Sequence, residues 1–231
     1  MQNSAPVADL KKLKSGPLRT QVFDLLRDAV ISGKYQPGEA LREISLARDL
    51  GVSQNTVREA LLQLVQTGLV VRTPNKNTTV TRLSPSDIAE RVSTRIMLEP
   101  VVCWIAAKRM TDADFEDLQQ RLGRISAGIQ ANAPFETAQA DLDFHRRIWA
   151  LSDCRFLYQV LDEATQPLFA FVSLLRYRRP QTLTEVVLPH EEILNALRQH
   201  NKVKLERIIR EHLMKSYREF IEPGSELPGL S

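Results

Sequence analysis

Leu46-Ala47-Arg48-Asp49-Leu50-Gly51-Val52-Ser53-Gln54-Asn55-Thr56-Val57-Arg58-Glu59-Ala60-Leu61 reads as two helical patterns joined by a tight turn. Leu46, Ala47 and Leu50 share one face of the first pattern. Gly51-Val52-Ser53 breaks it, and Ser53 is placed to cap the second, which carries Val57, Leu61, Leu64 and Val65 on its buried side. On the N-terminal side, Pro17 starts a helix in which Val22, Leu25, Leu26, Ala29 and Val30 repeat at helical spacing. Gly33 ends that helix and Tyr35-Gln36-Pro37-Gly38 forms a turn. On the C-terminal side, Gly68 stops the last helix. Residues 69–73 and 78–82 then read as two strands around the loop Pro74-Asn75-Lys76-Asn77. Helix, turn, helix and hairpin in this order predict a winged helix-turn-helix over residues 17–82, preceded by a flexible leader at residues 1–16.

Charge separates this region from the rest. The 231 residues carry a net charge of +3, but residues 1–82 hold 12 Lys and Arg against 7 Asp and Glu, and the remainder is net acidic. A basic excess confined to one end suggests a polyanion partner there. In a winged helix-turn-helix the helix from Gln54 would read bases. Gln54, Asn55, Thr56 and Arg58 stand at its start, where Asn and Gln suit adenine and Arg suits guanine. Arg42, Arg48 and Arg72 flank the helix as candidate phosphate contacts, and Lys76 at the wing tip as a minor-groove contact. Periodicity alone leaves open a plain helical bundle with ordinary exposed polar residues.

From Leu83 the character changes. Ser84-Pro85-Ser86-Asp87 leads into a run of helical patterns predicted at 86–109, 112–130, 135–151, 154–178, 183–199 and 202–221, making residues 83–222 an all-α bundle and 223–231 a tail. The fold class is therefore mainly α: an N-terminal winged helix-turn-helix followed by an all-α helical bundle. Two cysteines, Cys103 and Cys154, exclude a disulfide scaffold and a four-thiolate zinc site. No apolar run reaches membrane-spanning length, and the lysine-bearing start lacks the apolar core of a signal peptide; a cytoplasmic protein without membrane contact is expected.

Three of the four histidines lie on apolar helix faces. Asp141 and His145 are one turn apart beside Leu142, Ile148 and Trp149. His190 heads a line with Ile193, Leu194 and Leu197, and His212 sits among Leu205, Ile208 and Ile209. His200, in a helix-end turn, is set aside. A lone histidine on such a face is ordinarily a satisfied core residue. Three on separate helices with a carboxylate suit a divalent metal, zinc first, then nickel, iron or manganese.

Residues 33–41, Leu46-Ala47, Leu50-Gly51-Val52-Ser53, Val57-Arg58-Glu59-Ala60-Leu61 and Gly68-Leu69-Val70 resemble the DNA-binding domain of GntR-type bacterial transcriptional regulators. The resemblance implies a homodimer on a palindromic double-stranded DNA operator. Gln54 stands where that family usually has Arg, which points to a different operator sequence, and Asn77 where its wing usually has Gly, a turn that Asn tolerates. Asp141-x-x-x-His145, His190 and His212 resemble the metal-ligand set of the FCD domain, and six helices resemble its VanR-like variant of the FadR subfamily. A small organic acid effector that completes the metal's coordination is implied. Arg95, four residues before Glu99, has two readings: a cavity arginine that meets the effector's anionic end, or an exposed ion pair with Glu99. Cys154 stands in a segment that departs from the family pattern, as a redox-sensitive thiol or an inert small hydrophobe. A regulator that answers to metal alone and a metal-dependent enzyme are the alternatives. His190-Glu191-Glu192-Ile193-Leu194 lacks the second histidine of a His-Glu-x-x-His helix, and a non-enzyme is expected.

Overall fold

Helix caps and glycines set the element boundaries. The structure is a computed structural model that describes residues 17–73, 77–177 and 187–221. The chain divides into two compact units between Arg82 and Leu83.

In the first unit, α1 (Leu18–Ile31) starts after Pro17 and buries Val22, Leu26, Ala29 and Val30. It packs on α3 (Gln54–Gln66), which buries Val57, Ala60, Leu61 and Leu64. Each such aliphatic residue contributes about 1.5–3 kcal/mol on burial. Between them α2 (Glu43–Leu50) ends on Gly51, whose φ of +64° a side chain would resist. Ser53 caps α3 by accepting from the backbone N–H of Thr56. The wing holds one strand more than the sequence pattern predicts. Besides β2 (Val70–Arg72) and β3 (Thr78–Val80), Ala40–Leu41 forms β1 and pairs antiparallel with β3, giving the order β1-β3-β2. Two residues are too few for a period, so β1 exists only through its pairing with a strand nearly forty residues on.

The second unit contains six α-helices among the described residues: α4 (Pro85–Ala107), α5 (Asp112–Gln130), α6 (Pro134–Leu151), α7 (Arg155–Tyr177), α8 (Val187–Arg198) and α9 (Lys202–Tyr217), which a 3-10 turn at Arg218–Phe220 extends. α4 and α5 both open with reciprocal capping boxes, Ser84 with Asp87 and Thr111 with Asp114. Three of the connections turn on a non-glycine residue in the left-handed region: Asn132, Asp153 and His200. His200 is thus a turn residue, as its place beside Asn201 suggests. α4 packs against α6, α7 and α9, and one apolar core runs through Val92, Ile96, Leu118, Phe144, Ile148, Trp149, Leu161, Ile193 and Ile209. No described helix is long and apolar enough to cross a membrane. The leader, the tail, the wing tip with Lys76, and the start of the fifth predicted bundle helix lie outside the described residues.

Candidate nucleic-acid interface and metal centre

The Ser53 cap fixes where α3 begins and so fixes what its first turn exposes. Gln54, Asn55 and Arg58 are exposed, Thr56 is half-buried with its hydroxyl 2.8 Å from that of Ser53, and Asn55 donates to Glu59 across one turn at 3.0 Å. Arg42, at the N-cap of α2, and Arg48 within it are exposed, Arg48 with its Nε 3.0 Å from Asp49. Arg58 and Arg72 share a partner to which sequence reasoning assigned no role. Glu43 Oε2 accepts from Arg58 Nε and Nη2 at 3.1 and 3.0 Å, and Glu43 Oε1 lies 3.7 Å from Arg72 Nη2. The free N–H groups at the start of α3 and the cations around it favour an anion, and the uncharged amides of Gln54 and Asn55 suit base edges.

In the bundle, α6, α8 and α9 bring His145, His190 and His212 together, all buried, each with a ligand-capable nitrogen within 4.8 Å of the others'. Asp141, one turn before His145, places Oδ1 2.8 Å from His190 Nε2 and 3.4 Å from His145 Nε2. The four side chains that the sequence singled out thus lie together. Burial works to raise the Asp141 carboxyl, but His190 and His145 outweigh it and hold it well below the usual carboxylate range. His212 moves the other way: burial, then the neighbouring His190 and His145, push it well below an ordinary histidine. An imidazole kept neutral is the form that binds a metal.

Two further residues complete the arrangement from α4. Glu99 Oε1 lies 2.6 Å from His145 Nδ1, and Glu99 Oε2 accepts from Arg95 Nε at 3.0 Å. Arg95 Nη1 donates to the Tyr217 hydroxyl at 3.1 Å. Arg95 and Glu99 each have about 1% of their side chain exposed, so their ion pair is real but is not the exposed one that spacing allows. Burial opposes the Glu99 charge, yet Arg95 and His145 hold its carboxyl down at about 2. Burial opposes a charge on His145, yet Glu99 and Asp141 raise its pKa; when the ring is neutral, donation of its Nδ1–H to Glu99 leaves the lone pair on Nε2, which faces Asp141. Arg95 also lines a small cavity with Asp141, Phe169, His212, Ser216 and Tyr217.

These residues fit a divalent ion on a structural observation. His145 Nε2 and His212 Nδ1 are buried ring nitrogens without a hydrogen-bond partner, which is costly unless something else meets them. A cation among three imidazoles and a carboxylate would satisfy both. Glu191 and Glu192, beside His190, are exposed. Cys154 is half-buried, with its Sγ 3.6 Å from the Ser152 carbonyl.

Residues 18–80 match the family described as bacterial regulatory proteins, gntR family, and residues 90–215 match the FCD domain. The transcriptional repressor RspR of Escherichia coli is 24% identical over 201 residues, covering 86% of this chain and 87% of the repressor. The gluconate operon transcriptional repressor of Bacillus subtilis is 25% identical over 201 residues, covering 84% of this chain and 79% of the repressor. The solved structure of E. coli McbR/YncC superposes with a TM-score of 0.67 at 23% identity, covering 89% of this chain and 99% of that one.

Proposed function

The chain belongs to the gntR family of bacterial regulatory proteins and carries an FCD domain, and from that premise we propose a homodimeric operator-binding regulator whose bundle holds a divalent metal and a small carboxylate effector. That it is a transcriptional regulator and not an enzyme follows from the family and from relatives that are regulators. The metal, the acid and the dimer are our reading, and the observation that carries it is the convergence of His145, His190, His212 and Asp141 around two orphaned ring nitrogens.

Asp141, His145, His190 and His212 would hold the ion. When bound it supplies a positive charge at which a carboxylate oxygen can complete the coordination. Zinc suits this donor set first, with nickel, iron and manganese as further candidates. Glu99 orients His145 and fixes its tautomer. Arg95 engages three of its five N–H donors with Glu99 and Tyr217, and so keeps donors for an anion entering the cavity. The name of the gluconate operon repressor is in keeping with an organic acid signal. In the winged unit, Gln54, Asn55, Thr56 and Arg58 would read bases, Arg42, Arg48 and Arg72 would meet the backbone, and Lys76 the minor groove. A dimer places two such units on half-sites about one helical turn apart, and a change in the bundle alters whether both can engage.

The ligand assignment is tested by metal analysis of purified protein. His145→Ala and His212→Ala should each lose the bound divalent ion that the wild type retains after dialysis. Equal metal content in variants and wild type would overturn the assignment. Operator binding that switches with metal alone, and ignores every organic acid tried, would leave the ion itself as the signal.

A further inference from the structure

We propose that Glu43 is a positioning residue for operator recognition, holding Arg58 so that the outer end of its guanidinium meets a base edge. The proposal rests on the DNA-reading role of the winged unit. One carboxylate ties three elements together: Glu43 opens α2, Arg58 stands in the second turn of α3, and Arg72 ends β2. Its place at the start of α2 is favourable, because the free N–H groups of a helix N-terminus stabilise a carboxylate.

The geometry divides the Arg58 fork. Nε and Nη2 both donate to Glu43 Oε2. A guanidinium carries five N–H groups, so this leaves both hydrogens on Nη1 and one on Nη2. That remaining edge is the one whose two parallel donors match O6 and N7 of guanine. The Glu43 side chain is 22% exposed and that of Arg58 50%, so the carboxylate sits on the inner side of the pair and the cation on the outer.

A negative charge on a face that must approach phosphate lowers affinity for every duplex alike. What Glu43 offers in return is order: an arginine fixed before binding loses less rotamer freedom on binding. The predicted signature is therefore weaker general binding together with sharper discrimination at one base pair.

The test begins by selecting an operator from random duplexes with the wild-type chain. Dissociation constants for wild type, Glu43→Ala, Glu43→Gln, Arg58→Ala and the double variant are then measured at one salt concentration, on the operator and on each of its single-base-pair variants. Arg58→Ala should lose discrimination at one position. Glu43→Ala should lose roughly tenfold at that same position, while binding unrelated duplexes as tightly as wild type or tighter. The double variant should be no worse there than Arg58→Ala alone. Glu43→Gln, whose side-chain carbonyl still accepts from Arg58, should recover part of the discrimination. Tighter binding to every duplex with discrimination intact would make Glu43 a brake and overturn the proposal. So would no change at any position, or a loss spread evenly over all sequences. A wild-type chain that selects no duplex would instead sink the DNA-reading role itself.

Discussion

His145 uses both ring nitrogens differently, and Glu99 decides which does what. A hydrogen bond of 2.6 Å to Nδ1 commits that nitrogen to the carboxylate, and in the proposed metal centre Nε2 is the nitrogen that would meet the cation. Glu99→Gln keeps the volume but removes the charge that holds the Nδ1 proton. Metal affinity should fall by roughly 10–100-fold, measured by competition with a chromophoric chelator; an unchanged affinity would mean that Glu99 only packs. This residue shows where sequence reading stops. Arg95 and Glu99 are visibly one helical turn apart, but spacing cannot say whether that face meets water or a core. The answer depends on Tyr217, 122 residues from Arg95, and on His145 of another helix. The histidines were legible because each sits in an apolar stripe where an unpaired imidazole is out of place. Glu43 was not, because a glutamate in the first turn of a helix is unremarkable until its partners are seen.

At the scale of elements, caps and close approaches fix the bundle. Thr111 and Asp114 satisfy two backbone N–H groups of α5 reciprocally. Thr111→Ala should destabilise the bundle by about 1 kcal/mol in denaturant unfolding. Asp87 and Asp114 both have carboxyl pKa values lowered chiefly by their cap hydrogen bonds, from Ser84 and from Thr111. A depressed folded-state value means that this stabilisation is complete above the ordinary carboxylate value of 3.8 and is lost as pH falls through the lowered ones. Asp114→Asn should therefore narrow the drop in unfolding free energy below about pH 4; a drop as steep as in wild type would rule the cap out as its source. A second constraint lies where α5 meets α6. A methyl group at Gly128 would come within 2.6 Å of Thr137 Oγ1 and 3.1 Å of its backbone. Gly128→Ala, which in an open helix would stabilise, should here cost about 1–3 kcal/mol by thermal or denaturant unfolding. Helices were readable because each carries its own period and often its own cap. Strand β1 was not, since two residues have no period and owe their state to β3.

At the scale of the whole molecule, a near-neutral chain divides into a basic part with the DNA-binding domain and a mildly acidic part with three buried histidines that could hold a cation. The charge split was legible from composition. The four candidate residues were legible from their apolar stripes and from the resemblance to the FCD metal-ligand set; the distances between them were not, because they depend on how α6, α8 and α9 pack. The proposed regulation requires the two parts to be linked: whatever binds in the bundle must bind one state of the protein better than another, and operator affinity must change reciprocally. The most direct measurement is operator binding by fluorescence anisotropy, with metal-stripped and zinc-loaded protein, each titrated with a panel of small carboxylic acids. The account predicts that at least one acid shifts the operator dissociation constant of the zinc-loaded protein about fivefold or more, and that the shift vanishes in metal-stripped protein and in His145→Ala. An operator affinity that stays the same with and without metal, under every acid, would contradict it.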